Sequence, residues 1–574
     1  PWVAFQQRVN KLIYARTLSQ EQDSTQAALY QTAMSETKTE MATWNGLPVE
    51  LRGLILEHLA LSAVVERRSK VWRAKGSRHD MGSYAVVCRQ WQGFIEKINF
   101  SSLDINSAKD LSRFDELTQD PRRRSLLRRL SLRIELPRYA NKLAKIPETD
   151  AEQNANEIAF TQALWNLFDI LSKWTPQGTS GIELELSAAS PSDKNKYFGE
   201  TGLDQDGNSR FFDHDLDFSF ITAGCEQIGR HGLPEVSVVS SCQVLRRNHR
   251  NFSSRSLLTI FSSLPQLREV RYEPWHQVDM EAQLEVDSDH ARTLPFWPSY
   301  IKRISIFEHF DAFNDGVGSE WEDAESDEDE AGANGEESNA VNDPQDIQDV
   351  PRTACPSLGQ NLGWLSLQAE EMAVSNVADT FDFFGGIFAR KAVPYTPPTW
   401  TNLRRLTLTS HTMISGVDSE NINSVLHLTG SAAKHMPALE MLELYKVDQF
   451  GAAVFRYSVD TMSTTASWES TWEFRLEQRV KNIWGDVARK NTAHELVFLP
   501  EILLGEYRGP FVFISENLKS KDLVLHPVSL EDMLSKKMDK CKACNGFCAH
   551  PKTGKEEDWQ PWVTFGDQST EADA

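Results

Sequence analysis

The sequence predicts an α/β protein in which short strands alternate with amphipathic helices. A pattern of the form apolar-x-x-apolar-x-apolar recurs along the chain, and the alternation at its end is typical of a strand with one buried face. It occurs at 100–105, 127–132, 267–272, 301–306, 362–367, 403–408 and 439–444, with a shorter form at 181–186. Apolar stripes at helical spacing fall between these segments. The alternation favours parallel strands in one curved, solenoid-like stack, whose concave surface suits protein recognition.

Seven strands are expected from these motifs, most of them parallel in one sheet. They lie near 130–134, 182–186, 268–272, 302–306, 364–368, 404–408 and 440–444. The stripe from Phe160 to Trp174 predicts a helix that packs against this sheet, and Glu473 to Lys490 predicts another amphipathic helix. Segments 496–504, 509–515 and 521–534 are interpreted as short apolar strands and turns that close the stack. The alternative is an ordinary α/β domain whose strands only look alike.

Composition and charge limit the class of protein. The chain has 574 residues, of which 40% are hydrophobic, and a formal net charge of −22. This apolar content rules out global disorder, and the acidic balance argues against a general nucleic-acid binder. No apolar run approaches the ~18–20 residues of a membrane-spanning helix, the opening residues lack a signal-peptide pattern, and the seven cysteines sit mostly alone. We therefore expect a soluble cytoplasmic or nuclear protein without a membrane or nucleic-acid partner.

The negative charge is concentrated in one segment. Residues 315–349 contain 14 acidic side chains and no Lys or Arg. Such a segment buries too little apolar surface to offset its ordering entropy, and its charges repel one another. We therefore predict that 313–352 is a disordered acidic insert within a folded region. A solvated spacer is the favoured interpretation, and a docking site for a basic partner is the alternative.

Two predicted helices near the start of the chain are apolar on more than one side. Residues 44–59 place Pro48 in the first helical turn, where its missing N–H is not needed. Leu51, Leu54, Ile55 and Leu59 form one stripe, and Val49, Leu56 and Ala60 form a second. A short helix with two apolar stripes needs two surfaces to bury against, and one of them can belong to a partner. Residues 83–98 predict a second helix, whose stripe includes Val87, Cys88, Trp91 and Ile95.

The residues of these two helices resemble an F-box. The first helix contains Leu47-Pro48-x-Glu50-Leu51 and Ile55-Leu56-x-x-Leu59, and the second contains Val87-Cys88-Arg89-x-Trp91-x-x-x-Ile95. The stretch from Tyr84 to Phe100, residues 165–193 and the C-terminal region are similar to the large F-box families of filamentous fungi. In that family the module binds the Skp-type adaptor of a cullin-RING (SCF) ubiquitin ligase. The adaptor-binding residues implied by the resemblance are Leu47, Pro48, Ile55, Leu56, Leu59, Val87, Cys88, Trp91 and Ile95.

The resemblance implies an N-terminal helical F-box followed by an irregular leucine-rich-repeat-like α/β solenoid, because F-boxes often precede such repeats. The spacing of the strand motifs exceeds the roughly 20–29 residues of a regular repeat. The implied protein is a non-catalytic substrate receptor that joins an adaptor and cullin to a target protein. The alternative is a repeat-based scaffold whose hairpin is only structural. Residues 62–83 form a longer and more basic link than usual between F-box helices, and this link either leaves docking intact or obstructs it.

The expected organisation has six parts. They are a weakly ordered extension at 1–40, the F-box at 41–105, the first part of the repeat-like domain at 106–312, the acidic insert at 313–352, the second part with its cap at 353–530, and a polar tail at 531–574.

Chemistry-bearing motifs are few. Cys541, Cys544, Cys548 and His550 have zinc-ligand side chains, but all four fall within ten residues of a polar segment, so an exposed, reduced tail is favoured over a zinc site. Asp213, Asp215 and Asp217 are interpreted as a charged loop, because the glycine and glutamate of a calcium loop are missing. The arginine-rich run at 121–130 is interpreted as a solvated helix that leads into a strand, and the alternative is a nuclear-import or phosphate-contacting patch. No nucleotide-binding, hydrolase or metalloprotease motif is present, so we expect no enzyme, no catalytic residue and no cofactor.

Overall fold

The computed structural model describes thirteen parts of the chain. They are residues 51–56, 87–140, 143, 147–176, 181–195, 214–219, 232–248, 250–275, 280–308, 354–388, 397–447, 451–505 and 507–534.

The described residues form a mixed α/β structure around one sheet of 13 strands. Strands β1 to β12 lie side by side in the same order as they occur along the chain. Strands β1 to β9 are all parallel, each paired with the next along the chain. Strand β10 is antiparallel to β9 and β11, and both β12 and β13 pair in parallel with β11. The strands are β1 Ser102–Ile105, β2 Arg129–Glu135, β3 Ile182–Ala189, β4 Val239–Val244, β5 Glu269–Tyr272, β6 Arg303–Phe307, β7 Glu371–Ser375, β8 Arg405–Thr409, β9 Met441–Val447, β10 Ala452–Val459, β11 Thr464–Ser470, β12 Leu496–Phe498 and β13 Ile502–Leu503.

Helices connect most of these strands. They are α1 Arg89–Ser101, α2 Ala108–Leu117, α3 Pro121–Leu126, α4 Asp150–Ser172, α5 Ser254–Ser262, α6 Met280–Thr293, α7 Pro356–Leu365, α8 Thr380–Phe388, α9 Ser419–Ala433, α10 Gln478–Asn491, α11 Pro510–Asn517 and α12 Lys521–Val524. Residues 51–56 and 527–534 are also helical. A capping box marks the start of α4. The Thr149 side chain accepts from the backbone N–H of Glu152, and the Glu152 carboxylate accepts from the backbone N–H of Thr149. None of the helices in the described residues combines the length and apolar character needed to cross a bilayer.

The two faces of the sheet differ in chemistry. On the apolar face, residues in cross-strand register are buried beneath the helices, as the main core shows. They are Leu130, Leu184, Cys242, Val270, Ile304, Met372, Leu406 and Leu442. Helix α4 packs against β2 on this side. On the other side, which we call the polar face, the intervening positions carry Arg271, Ser305, Thr407 and Glu443. The alternation along each strand therefore separates a helix-covered core from a polar surface.

Six of the seven expected strands and their parallel pairing are confirmed, as β2, β3, β5, β6, β8 and β9. The strand expected at 364–368 is wrong: α7 ends there and a short 3-10 turn follows. Leu358, Leu362 and Leu365 are spaced for one face of a helix and are buried on it, and a short apolar run does not distinguish the two structures. The strand of this repeat is β7, six residues later.

Three further expectations are corrected. Segments 509–515 and 521–534 are mostly helical rather than strands, with Pro510 at the start of α11. In segment 496–504 two short strands do form, β12 and β13. Helix α4 begins at Asp150, ten residues before the stripe that predicted it, and α10 begins at Gln478 rather than Glu473.

The acidic segment 315–349 lies outside the described residues, between β6 and α7. Its anchors are well packed, since Phe307 and Leu358 are both 2% exposed. We expect that replacing 315–349 with a short Gly/Ser linker leaves the melting temperature nearly unchanged. Shortening the loop in this way changes the free energy of loop closure by less than about 1 kcal/mol. Differential scanning calorimetry at low and physiological salt checks this. A drop of about ten degrees, equivalent to several kcal/mol, would show instead that the segment packs on a basic surface.

Candidate interaction surfaces

A helical pair, residues 51–56 and α1, lies at the start of the described chain. Three exposed apolar side chains lie here, two on residues 51–56 and one, Val87, just before α1. The helical residues 51–56 contact α1 through Arg52, whose Nη1 donates to Oε1 of Gln90 at 3.1 Å. Leu51, Leu54 and Val87 are 46%, 52% and 50% exposed. Scattered exposed leucines are ordinary on protein surfaces, but exposed apolar residues gathered on one small module indicate an interaction site.

The opposite side of this module joins the sheet. Leu56, Trp91 and Ile95 are buried, and α1 packs against β1 and α3. The carboxylate of Glu96 on α1 lies 3.3 Å from Arg122 and 3.5 Å from Arg123 on α3. The guanidinium of Arg123 also lies 5.1 Å from the ring centre of Phe100, which is within cation–π range. The module is thus attached to the sheet by both apolar burial and charge.

The arginine-rich run at 121–130 forms α3 and leads into β2, as the sequence predicted. It is less solvated than expected, since Arg124 lies over the ring of Trp174 at 5.3 Å and donates to the carbonyl of Thr118. These contacts give the run a structural role at the joint between α1 and the sheet.

The nine residues implied to bind an adaptor have different environments. Leu47, Pro48 and Leu59 lie outside the described residues. Val87 is exposed, Ile55 and Cys88 are half-buried, and Cys88 is the N-cap of α1. Leu56, Trp91 and Ile95 face the interior, where they support the module rather than offer a contact. The sequence predicts two apolar stripes on the first helix, and the structure shows which is exposed: Leu51 and Leu54 of the first stripe face solvent, while Leu56 of the second is buried.

Ion pairs cross the polar face of the sheet near the amino ends of its strands. The guanidinium of Arg129 lies 2.9 Å from Glu183, and Arg303 contacts Glu269 at 2.9 Å and Glu371 at 3.0 Å. These residues occupy equivalent positions on neighbouring strands. Opposite charges on paired strands stabilise the pairing modestly.

A C-terminal segment lies across the polar face of the sheet. We call residues 507–534, which include α11 and α12, the C-terminal strap. Its apolar side chains form a second core with the sheet residues Phe307, Ala373, Tyr445 and Val454. The buried strap residues in this core are Phe513, Ile514, Leu518, Leu523, Val524, Leu525 and Met533.

Charged groups of the sheet bind the backbone of the strap. Arg271 donates to the carbonyl of Asp522 at 2.8 Å. The carboxylate of Glu443 accepts from the backbone N–H of Ser520 at 2.9 Å and of Lys519 at 3.1 Å. The same carboxylate accepts from Nε of Arg456 at 2.7 Å, and Arg456 donates to the carbonyl of Asn517.

The far end of the strap is held in the same way. Glu273 accepts from the backbone N–H of His526 at 2.8 Å and from the hydroxyl of Ser529 at 2.5 Å. Burial, together with nearby Arg271, Arg129 and Arg247, lowers the pKa of His526 to about 4, so this ring is neutral at pH 7. Buried charges that are hydrogen-bonded in this way are costly to uncover. The strap is therefore an integral part of the fold, and it covers the polar face over the central strands.

The aspartates of the segment 213–217 make local contacts. Asp213 lies outside the described residues, as do Cys541, Cys544, Cys548 and His550. His214 lies 3.0 Å from the carboxylate of Glu157, and Asp217 accepts from the hydroxyl of Ser256 at 3.0 Å. Burial raises the pKa of Asp215 to about 6. Across the described part of the chain, no three His, Cys, Asp or Glu side chains are grouped to hold a metal ion.

Part of the chain matches a known protein family. Residues 296–526 match a family of unknown function, DUF6546. The match begins shortly before β6 and ends at His526, so it covers the second half of the sheet and the part of the strap up to that residue. No curated protein matches the chain.

Proposed function

We propose that this protein is a non-catalytic substrate-recognition subunit of an SCF-type ubiquitin ligase. Its F-box would bind a Skp-type adaptor and, through it, a cullin, and its leucine-rich-repeat-like domain would bind a target protein. Such a receptor raises the effective concentration of the target near a ubiquitin-conjugating enzyme and forms no bonds itself.

The exposed apolar side chains of the helical pair carry this proposal. Leu51, Leu54 and Val87 are exposed on the same module that resembles an F-box, while Trp91 and Ile95 anchor that module to the sheet. A hairpin that was only structural would gain by burying these three side chains or by replacing them with polar ones. Their exposure favours a partner that covers them.

The order of the sheet supports the repeat-like solenoid. Nine parallel strands follow one another in chain order, as they do when similar strand–helix units are stacked. Side-chain amides of the loop after β4 join it to both neighbouring repeats. Asn248 accepts from the backbone N–H of Ala188 in β3 at 2.9 Å, and Asn251 accepts from the backbone N–H of Trp275, after β5, at 3.0 Å. Such bonds satisfy backbone groups that stacked loops would otherwise bury unpaired.

The position of the strap bears on where a target would bind. Because the strap covers the polar face over the central strands, we place target recognition on the surface around the carboxyl ends of the strands. This edge carries the loops after β3 to β8, and loops on a rigid scaffold are where binding residues concentrate.

Adaptor binding by the full chain tests the proposal. We expect Leu51→Glu or Leu54→Glu to weaken binding of a purified Skp-type adaptor by about 30-fold or more, since a charge at an apolar contact of this size costs about 2 kcal/mol. Isothermal titration calorimetry gives the affinity. Because both leucines are about half exposed, their replacement should leave the melting temperature within about two degrees of the parent.

Leu503→Glu is the matched control. This leucine is 58% exposed at the other end of the sheet, so the same change there should leave adaptor affinity unaltered. If the intact chain binds no Skp-type adaptor, the ligase role is lost and the alternative stands, a repeat-based interaction scaffold with a structural hairpin.

A further inference from the structure

The last edge of the sheet carries a row of exposed apolar side chains. Strands β12 and β13 both pair with β11, and among the described residues no strand pairs with their outer side. We call residues 496–504 the terminal edge. Its exposed apolar residues are Val497, Leu499, Ile502 and Leu503, at 53%, 43%, 46% and 58% exposure. An open, apolar strand edge is a template for pairing with another chain.

Two hydrogen bonds show which backbone groups of the terminal edge point outward. The N–H of Leu499 donates to the carbonyl of Ala466 at 2.8 Å, and the N–H of Leu504 donates to the carbonyl of Ser470 at 2.7 Å. Because the backbone groups of successive strand residues point to alternate sides, those of Phe498 and Leu503 point away from β11. Each short strand therefore offers one residue for a second ladder.

The register places each side chain of the terminal edge on one face of the sheet. Phe498 pairs with Ala466 of the main core. Leu503 pairs with Ser470, which pairs with Ala453 of the same core. Both side chains therefore lie on the apolar face. Since neighbouring side chains of a strand alternate between faces, the polar face receives Val497, Leu499, Ile502 and Leu504.

A break at Pro500 restricts which strand can follow this edge. From Leu496 to Ile502 the edge has one residue more than β11 has between their partners, Thr464 and Glu469, which is the mark of a bulge. Proline and bulges protect an edge against pairing with arbitrary strands. A strand that pairs along the whole edge must break at the same place, and an identical edge does so.

We infer that the chain forms a two-fold dimer in which the terminal edge pairs antiparallel with the same edge of a second copy. A two-fold axis between Pro500 and Glu501 lies within the break. It places Phe498 opposite Leu503 of the second copy. These are the two residues whose backbone groups point outward and whose side chains share the apolar face, so the pair joins both ladder and side chains.

The same axis matches the remaining side chains. Val497 lies opposite Leu504 of the second copy, and Leu499 lies opposite Ile502, with all four on the polar face. A register shifted by one residue would instead set side chains of opposite faces against each other. An isologous interface requires a surface that is complementary to itself in this way. This self-complementarity favours a second copy over an unrelated partner.

Charge opposes this dimer and gives it a characteristic salt dependence. The chain has a formal net charge of −22, and Glu501 on the edge already lies 3.6 Å from Lys481 of its own chain. Salt screens the repulsion between like-charged copies, so the dimer should tighten severalfold as salt rises from about 50 to 500 mM. A contact made through ion pairs would weaken instead. The inference is independent of the proposed ligase role, because the helical pair lies at the other end of the sheet.

Sedimentation velocity of the full chain tests the dimer. A contact limited to one short edge is smaller than the standard interface of about 800 Å² per partner, so we expect a dissociation constant of about 1–100 μM. Leu503→Glu should weaken dimerisation by about 30-fold or more. Phe381→Glu is the control, since Phe381 is equally exposed, at 58%, but lies on α8. A chain that stays monomeric up to about 300 μM, or a dimer that Leu503→Glu leaves intact, would overturn the inference.

A mixing experiment tests the register. Leu499→Lys and Ile502→Glu should each weaken self-association by about tenfold. A mixture of the two chains should regain a dimer within about threefold of the parent affinity, because the mixed dimer joins opposite charges at one position and keeps the parent pair at its equivalent. Leu499→Lys mixed with Leu503→Glu is the control and should not recover, since those positions lie on opposite faces. Recovery in neither mixture, or equally in both, would overturn the two-fold pairing.

Discussion

Glu443→Ala is expected to lower the free energy of unfolding by about 3–5 kcal/mol. Glu443 is fully buried and accepts hydrogen bonds from the strap backbone at Ser520 and Lys519. It also balances the charge of Arg456, which is 7% exposed. Its removal leaves a buried cation whose charged partner among the described residues is Glu469 at 2.8 Å. It also leaves the buried backbone N–H of Ser520 and the partly buried N–H of Lys519 without their acceptor. Urea denaturation measures the change.

Glu440→Ala is the matched control for this prediction. Glu440 is three residues away and pairs with Arg404, but both partners are about half exposed. An exposed, solvent-screened pair of this kind contributes little to stability, so the control should unfold close to the parent. Equal effects of the two substitutions would contradict the view that the strap is fixed by buried charge.

Removal of the strap is expected to abolish cooperative folding. A chain that ends at Gly505 loses the seven strap side chains of the second core. Burial of each contributes about 1.5–3 kcal/mol, and their sum reaches or exceeds the 5–15 kcal/mol that stabilises a typical protein. Removal of the strap also exposes Phe307, Tyr445 and Val454 on the sheet, and exposed apolar surface of this kind favours aggregation. Circular dichroism melting and size-exclusion chromatography check the outcome.

A chain that ends at Leu534 keeps the whole strap and serves as the control, with a cooperative transition expected. If the chain that ends at Gly505 also melted cooperatively, within a few degrees of the parent, the strap would be dispensable. The polar face of the sheet would then be open to a partner, and target recognition would move there from the carboxyl edge.

Much of the sheet follows from short-range patterns. The motif of Leu403, Leu406 and Leu408 predicted β8 because two of its residues alternate on one buried face. The same spacing occurs at Val239, Cys242 and Val244 in β4, and at Ala369, Met372 and Val374 around β7. Both were overlooked, since small or sulfur-containing side chains give a weak apolar signal. These residues are as well buried as the leucines of the recognised repeats.

The candidate site was predicted in part. The two helices were found from their apolar stripes and the proline near the first turn, and they do contact each other through Arg52 and Gln90. The exposed members of the first stripe, Leu51 and Leu54, could not be separated from buried Leu56 by spacing alone, because both stripes have helical period. Tertiary burial makes that distinction, since Leu56 is 3% exposed while Leu51 and Leu54 are 46% and 52% exposed.

The sequence by itself determined the α/β class, the parallel strands and the apolar face of the sheet, because each depends on a local period of two or 3.6 residues. The tertiary structure alone decided what covers the other face. Arg271 and Glu273 bind strap residues about 250 positions later in the chain. The local sequence pattern of 507–534 does not indicate which part of the fold this segment packs against. Its apolar residues satisfied a strand interpretation equally well, and they became helices because packing on the polar face, rather than propensity, fixed their conformation.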